Sequence, residues 1–252
     1  MTGPCTRRSL LSFVGGLVVS TAGCVDSLQQ SADETTTIEL TESSPALTRT
    51  AFERVVSRQA DRFGDHGIWG TTGTASIWPL EDAFVGGWSQ SWTVTTEESS
   101  SDGLRIPGEA VAFVSRPQPS GETPDRRHLW LWAGGAPDQH ADRIGQATLS
   151  VLRLSLSLNS GTIDAISPRT DVGPDDAPVT IRLGESTGVN RPIPAGRIVP
   201  KRPESNDNQS ITFEWAGVHS GPLSVFGACA IATDQPLSGT LTIEAAGSVG
   251  TV

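Results

Sequence analysis

The sequence contains no tyrosine, one lysine, one methionine and only three cysteines among 252 residues. Cys5 and Cys24 fall in the first 24 positions, so Cys229 stands alone in the body of the chain and has no partner for an intramolecular disulfide. A hydrophobic core must therefore hold the fold. Cys229 belongs to the alternation Leu223, Val225, Gly227, Cys229, Ile231, which sets its thiol on the apolar face of a strand, and no histidine adjoins it. That pattern describes a buried, inert cysteine rather than a nucleophile. Long apolar runs are missing too. The uncharged stretch Ser9 to Gly23 is 15 residues long and interrupted by serines and glycines, whereas a membrane-spanning helix takes about 20 predominantly apolar residues. Cations are scarce: 28 acidic residues stand against 17 arginines and Lys201, giving a net charge of -10 and a pI near 4.8. Such a field repels phosphate and disfavours nucleic acid as a partner.

What is present begins at the N-terminus. Arg7 and Arg8 precede the apolar stretch, and the small residues Ser20, Thr21, Ala22 and Gly23 lead directly into Cys24. A basic region, a short apolar region and a small-residue end form the layout of a secretory signal. Thr6-Arg7-Arg8-Ser9-Leu10-Leu11 resembles the twin-arginine export motif, and Thr21-Ala22-Gly23-Cys24 resembles a lipobox. Together they resemble the leaders of haloarchaeal twin-arginine lipoproteins. The resemblance implies that residues 1–23 are a signal peptide, that Cys24 carries a lipid, and that the protein is held at the extracellular face of the cell membrane. The competing account is an uncleaved anchor helix, and either one puts the domain at a membrane surface.

Residues 24–46 follow as the lipidated cysteine and a segment rich in Ser, Thr and acids, with five carboxylates and no base. That composition predicts a disordered tether spanning about 25 Å. Residues 47–252 then read as one β-rich domain. Phe52, Val55, Val56 and Phe63 recur at helical spacing, Thr50 with Glu53 makes a candidate capping box, and Gly64 is a natural stop, which predicts one amphipathic helix over Leu47 to Phe63. Beyond it the period is two. Phe84, Trp88, Trp92 and Val94 share one strand face, and Leu152, Leu154, Leu156 and Leu158 alternate with Arg153, Ser155 and Ser157. Further strands are predicted near Ala110 to Ser115, His128 to Ala133, Val179 to Leu183, Ile211 to Val218, Leu223 to Ala232 and Thr240 to Ala246. Asn159-Ser160-Gly161 predicts a hairpin into Thr162 to Ile166. The expected fold is mainly β, an antiparallel β-sandwich or barrel-like domain with one N-terminal amphipathic helix.

Several short patterns carry candidate chemistry. Gly184-Glu185-Ser186-Thr187-Gly188 fits G-x-S-x-G after a strand, but a nucleophile elbow needs a helix directly after the turn, and Pro192 and Pro194 follow instead. A plain glycine turn is the better account. Asp138, His140 and Asp142 lie two residues apart, so an extended backbone would point all three to one side as weak metal-ligand candidates, with solvated acids the simpler reading. Asp171, Asp175 and Asp176 lack the spacing and closing glutamate of an EF-hand loop. Trp88 with Trp92, and Trp130 with Trp132, form two same-face pairs, which fit either a ligand platform for glycans or core packing; Leu129 and Leu131 beside the second pair favour a strand buried on both faces. Arg191, Arg197, Lys201 and Arg202 occupy an acid-free stretch that would either receive an anion or pair with the domain's own carboxylates. Asn208-Gln209-Ser210 is an N-glycosylation sequon.

The expectation from these readings is a cell-surface lipoprotein acting as a non-enzymatic binding, interaction or structural module. It would engage the membrane through its lipid and a protein or glycan partner at the cell surface, without a cofactor. The alternatives are an extracellular hydrolase or metal-dependent enzyme, and the solute-binding component of a transporter, the last disfavoured by the missing alternation of strand and helix.

The acidic balance generates a first prediction. Removing residues 1–23 takes away Arg7 and Arg8 and no acid, so the net charge of -10 becomes -12. Self-repulsion of that size is screened at molar salt, where the Debye length falls to about 3 Å. The melting temperature should therefore rise from low to molar salt; a flat or falling curve would mean that the acids are compensated locally.

Overall fold

The computed structural model describes residues 30–63, 83–95, 105–117, 126–138, 146–176, 179–183, 186–191, 196–203 and 208–250. Arg7, Arg8 and Cys24 lie outside the described residues. In chain order the elements are β1 (Gln30–Thr41), α1 (Arg49–Phe63), β2 (Ala83–Thr95), β3 (Arg105–Arg116), β4 (Arg126–Gly135), β5 (Gln146–Leu158), β6 (Thr162–Ser167), β7 (Val179–Leu183), β8 (Ser186–Arg191), β9 (Arg197–Lys201), β10 (Ser210–His219), β11 (Leu223–Ala232) and β12 (Ser238–Gly250). Two five-stranded antiparallel sheets form a sandwich that does not close into a barrel. One has the order β1-β12-β5-β10-β9, the other β2-β3-β4-β11-β6, and β7-β8 is a separate hairpin.

The first sheet shows plain amphipathic alternation. Its inner face carries Ile38 and Leu40, Leu241 and Ile243, Leu152, Leu154 and Leu156, and Ile211, Phe213 and Trp215, all buried. The registers Thr37↔Thr242↔Ser155↔Thr212 and Thr35↔Glu244↔Arg153↔Glu214 make rows of polar residues on the other face. The second sheet is covered on both faces, and nine successive residues of β4 are buried. On its inner side Gly227 faces Phe213 of the first sheet so closely that a β-carbon would overlap the ring. On its outer side lie α1 and, against β11 and β6, strand β7 with buried Ile181 and Leu183.

α1 docks through Phe52, Val55, Val56 and Phe63. The Phe52 ring sits 5.0 Å from that of Phe113, and Phe63 meets Trp132 edge-on at 5.3 Å, within the range where aromatic pairs add to simple burial. The start of the helix differs from the expected capping box. Leu47 forms a backbone bridge with Gly87 of β2, so the helix begins two residues later and Thr48 caps it, its Oγ1 accepting from the Ala51 N–H at 3.4 Å. Glu53 instead pairs with Arg49 at 3.1 Å on the exposed side.

Two further expectations are corrected. Residues 30–41 of the expected disordered tether form β1, paired along its whole length with β12. The β-branched run Thr35-Thr36-Thr37-Ile38 suits a strand, and the register puts Ile38 and Leu40 inside while Glu39 stays outside. The Asn159-Ser160-Gly161 turn does not close a hairpin, because β5 and β6 belong to different sheets. It is a corner: the Leu158 and Asn159 N–H groups donate to Gln209 and Ser238, and Gly161 takes a φ of 85°, which glycine adopts without strain.

The tryptophans separate onto opposite faces of the second sheet. Trp88 and Trp92 share the inner face with Ala112 and Leu131, and Trp130 and Trp132 lie on the outer face with Phe113 and Phe226. All four are at most 4% exposed. No exposed platform exists among them: Trp92 lies flat over Gly108 and Gly135, and Trp130 stacks on Phe113 at 5.8 Å. Trp92→Ala should therefore destabilise the domain by about 3 to 5 kcal/mol, read by chemical denaturation. Cell-surface glycans should leave tryptophan emission unchanged. A glycan response that Trp92→Ala abolishes without loss of stability would reinstate the platform.

Candidate functional site

Among the described residues, the charged side chains that the fold gathers form three clusters, none of them a motif in the sequence. The most buried surrounds Glu42, just past the end of β1. Its carboxylate accepts from Arg127 Nε at 3.0 and 3.1 Å, from Arg116 Nη2 at 3.0 Å and from the Leu237 backbone N–H at 2.7 Å. The Glu42 and Arg127 side chains are 6% and 5% exposed. Burial by itself would raise the Glu42 pKa, but the Leu237 N–H and the Arg127 and Arg116 guanidiniums outweigh it and hold the carboxyl below its ordinary value.

A second cluster crosses the outer face of the first sheet. Arg153 on β5 donates to Glu214 on β10 at 2.8 Å and to Glu244 on β12, while Lys201 on β9 donates to Glu214 at 2.6 Å. The signs alternate strand by strand. Desolvation of Glu214 is outweighed by Lys201 and Arg153, so its pKa is lowered. A third cluster seats α1 on β3: Glu109, 7% exposed, accepts from Arg58 at 2.7 Å and from Gln59 Nε2.

The residues singled out in the sequence do not converge. Lys201 is taken up by Glu214, Arg197 lies 3.6 Å from Asp171, and Arg202 donates to Asn208 Oδ1 at 3.0 Å. Arg191 ends β8, opposite Val179. Of the four, two thus pair with the domain's own carboxylates. Asp138 lies 3.7 Å from Arg105, and His140 and Asp142 fall outside the described residues. Among the described residues no group of three His, Cys, Asp or Glu side chains is placed to hold a metal ion. Asp175 and Asp176 close a short 3-10 turn, Pro174–Asp176. Ser186 opens β8 directly across from Leu183, so a strand follows it where a nucleophile elbow needs a helix. Burial pushes the Cys229 thiol up to about 12, which keeps it a protonated core group. Asn208 is exposed, in a left-handed turn with a φ of 48°.

The chemistry of these clusters is cohesive rather than catalytic. Each sets a carboxylate against guanidinium, ammonium or amide donors, and in none of them does a nucleophile meet a base. The Glu42 cluster has a pH signature. Since its folded pKa lies below the ordinary 4.5, its stabilisation is fully present above that value and is lost as the pH falls through the folded value. Glu42→Gln should lower stability at neutral pH by about 3 kcal/mol, as expected when one partner of a buried pair is removed. It should also flatten the loss of stability seen on acidification below about pH 4.5. Denaturant titrations across that range check both, and an unchanged acid slope would remove Glu42 from the account.

No protein-family model matches the chain, and comparison with curated proteins found no match.

Proposed function

We propose that the protein is an exported, lipid-anchored module of the cell surface that acts by binding or supporting a protein partner, without catalysis. One observation carries this reading: the described side chains singled out as chemically capable are committed to the fold. The tryptophans are core, the lone thiol is buried, and Lys201, Arg197 and Asp138 face carboxylate or guanidinium partners. Among the described residues, the polar face of the first sheet remains available, and its rows of Ser, Thr and alternating charge suit protein contact better than the buried aromatics suit a glycan. The leader supplies the anchoring half of the proposal, through Cys24 and the twin arginines Arg7 and Arg8.

Cys24→Ser should abolish flotation with the membrane fraction, leaving the protein released or retained with its leader. Lys201, the sole lysine, sits on the polar face, so an amine-reactive cross-linker applied to intact cells should join the wild-type chain to a defined protein through Lys201. Wild-type protein that begins elsewhere than Cys24 and is wholly soluble in the medium overturns the anchor. Turnover of an ester or peptide substrate by the purified domain, lost in Ser186→Ala, overturns the non-enzymatic reading in favour of a hydrolase.

A further inference from the structure

The strand registers fix which end of the sandwich the anchored chain enters. Gln30 opens β1 opposite Val249 of β12, which lies opposite Ala147 of β5; two rows inward, Ala32, Gly247, Leu149 and His219 of β10 stand side by side. The start of β1 and the turn between β10 and β11 therefore share one end. The last residues of β10 and that turn, Gly217 to Pro222, contain no Asp, Glu, Lys or Arg in a chain with 28 acids. They also display Val218, 69% exposed, the one exposed large hydrophobic side chain among the described residues. The opposite end holds Glu42, the β11–β12 turn with exposed Asp234, and the sequon residue Asn208. The nine residue steps of β10 separate the two ends by about 30 Å.

Only six residue steps join Cys24 to Gln30, a reach of at most about 20 Å even when fully extended. Because β1 is locked to β12 from Gln30 onward, the longer stand-off that a flexible segment to residue 46 would give does not exist. We infer that the sandwich stands on its Val218 end against the lipid headgroups, with the uncharged turn toward the bilayer and the Asn208 and Asp234 end facing outward. This inference rests on the lipid anchor at Cys24 proposed above. The β10–β11 turn brings no carboxylate to the bilayer, and Asp138 and Asp171, which share its end, stand beside Arg105 and Arg197; a glycan on Asn208 would point away from the membrane.

The buried Cys229 makes the test clean, because a thiol probe reacts with an introduced surface cysteine instead. Full-length lipidated Val218→Cys and Asp234→Cys proteins, purified from membranes, are labelled with an environment-sensitive fluorophore and bound to phosphatidylcholine vesicles carrying a headgroup nitroxide quencher. The probe at 218 should lose about half of its emission, and the probe at 234, about 30 Å away along the strands, should lose none. Equal loss at both positions, or greater loss at 234, overturns the orientation while flotation of the proteins with the vesicles upholds the anchor. Failure to float overturns the anchor, and the orientation with it.

Discussion

The buried carboxylate of Glu42 is the point on which the two layers of the sandwich are fixed to each other. It leaves β1 at the edge of one sheet and is held by Arg127 and Arg116 from β4 and β3 of the other, and by the backbone that leads into β12. A charge at 6% exposure is costly unless its lone pairs are occupied, and here the donors come from segments 74, 85 and 195 residues away. The arrangement exists only when both sheets are assembled. Within five residues of Glu42 the chain reaches Leu47, which bridges to β2, and α1 follows at once to cover the outer face of that sheet. The ion cluster thus marks where the chain changes layer, and the Leu47 bridge that follows it sets where the helix begins.

Most of the strands were legible in the sequence because burial on one face writes period two directly into the side chains. β7 and β11 match their predicted ends, and β4, read as buried on both faces from Leu129 and Leu131 beside Trp130 and Trp132, is so. The errors share a cause. β1 looked disordered because composition over 22 residues averages away the Thr35-to-Leu40 pattern, and because its stabilising ladder is donated by β12, two hundred positions later. The Asn159-to-Gly161 turn looked like a hairpin because turn chemistry is local, whereas the choice of partner sheet is not. Thr50 was read as part of a capping box, whereas Thr48 caps the helix, because the bridge from Leu47 to Gly87 sets where it begins.

The candidate site residues divide along the same line. Whether paired tryptophans make a platform or a core depends on what faces them, and for Trp92 the facing positions are glycines distant in sequence. Gly108 and Gly135 leave room for Trp92, and Gly134 for Trp132. The pattern Trp130-Leu131-Trp132 followed by Gly134-Gly135 held part of that signal, since glycines beside large rings mark places where an indole lies flat on the strand. Of the carboxylate clusters the sequence showed only one cation, Lys201, as a candidate for the domain's own carboxylates, because Arg153 meets Glu214 and Glu244 from positions 61 and 91 residues away.

Those clusters also give the arginine-rich, lysine-poor composition a structural meaning. Arg153 bridges carboxylates on both neighbouring strands at once, and Glu42 is gripped by two guanidiniums together with a backbone amide. A planar fork of donors can hold such geometry where an ammonium, a single compact charge, cannot hold it as well. Salt then acts unequally on the two kinds of electrostatics. At molar concentration the screening length of about 3 Å is close to the contact distances of these pairs, so direct, partly desolvated contacts persist while repulsion among separated acids is damped. Added salt should therefore remove more repulsion than attraction from a surface this acidic and cross-linked at short range by guanidinium.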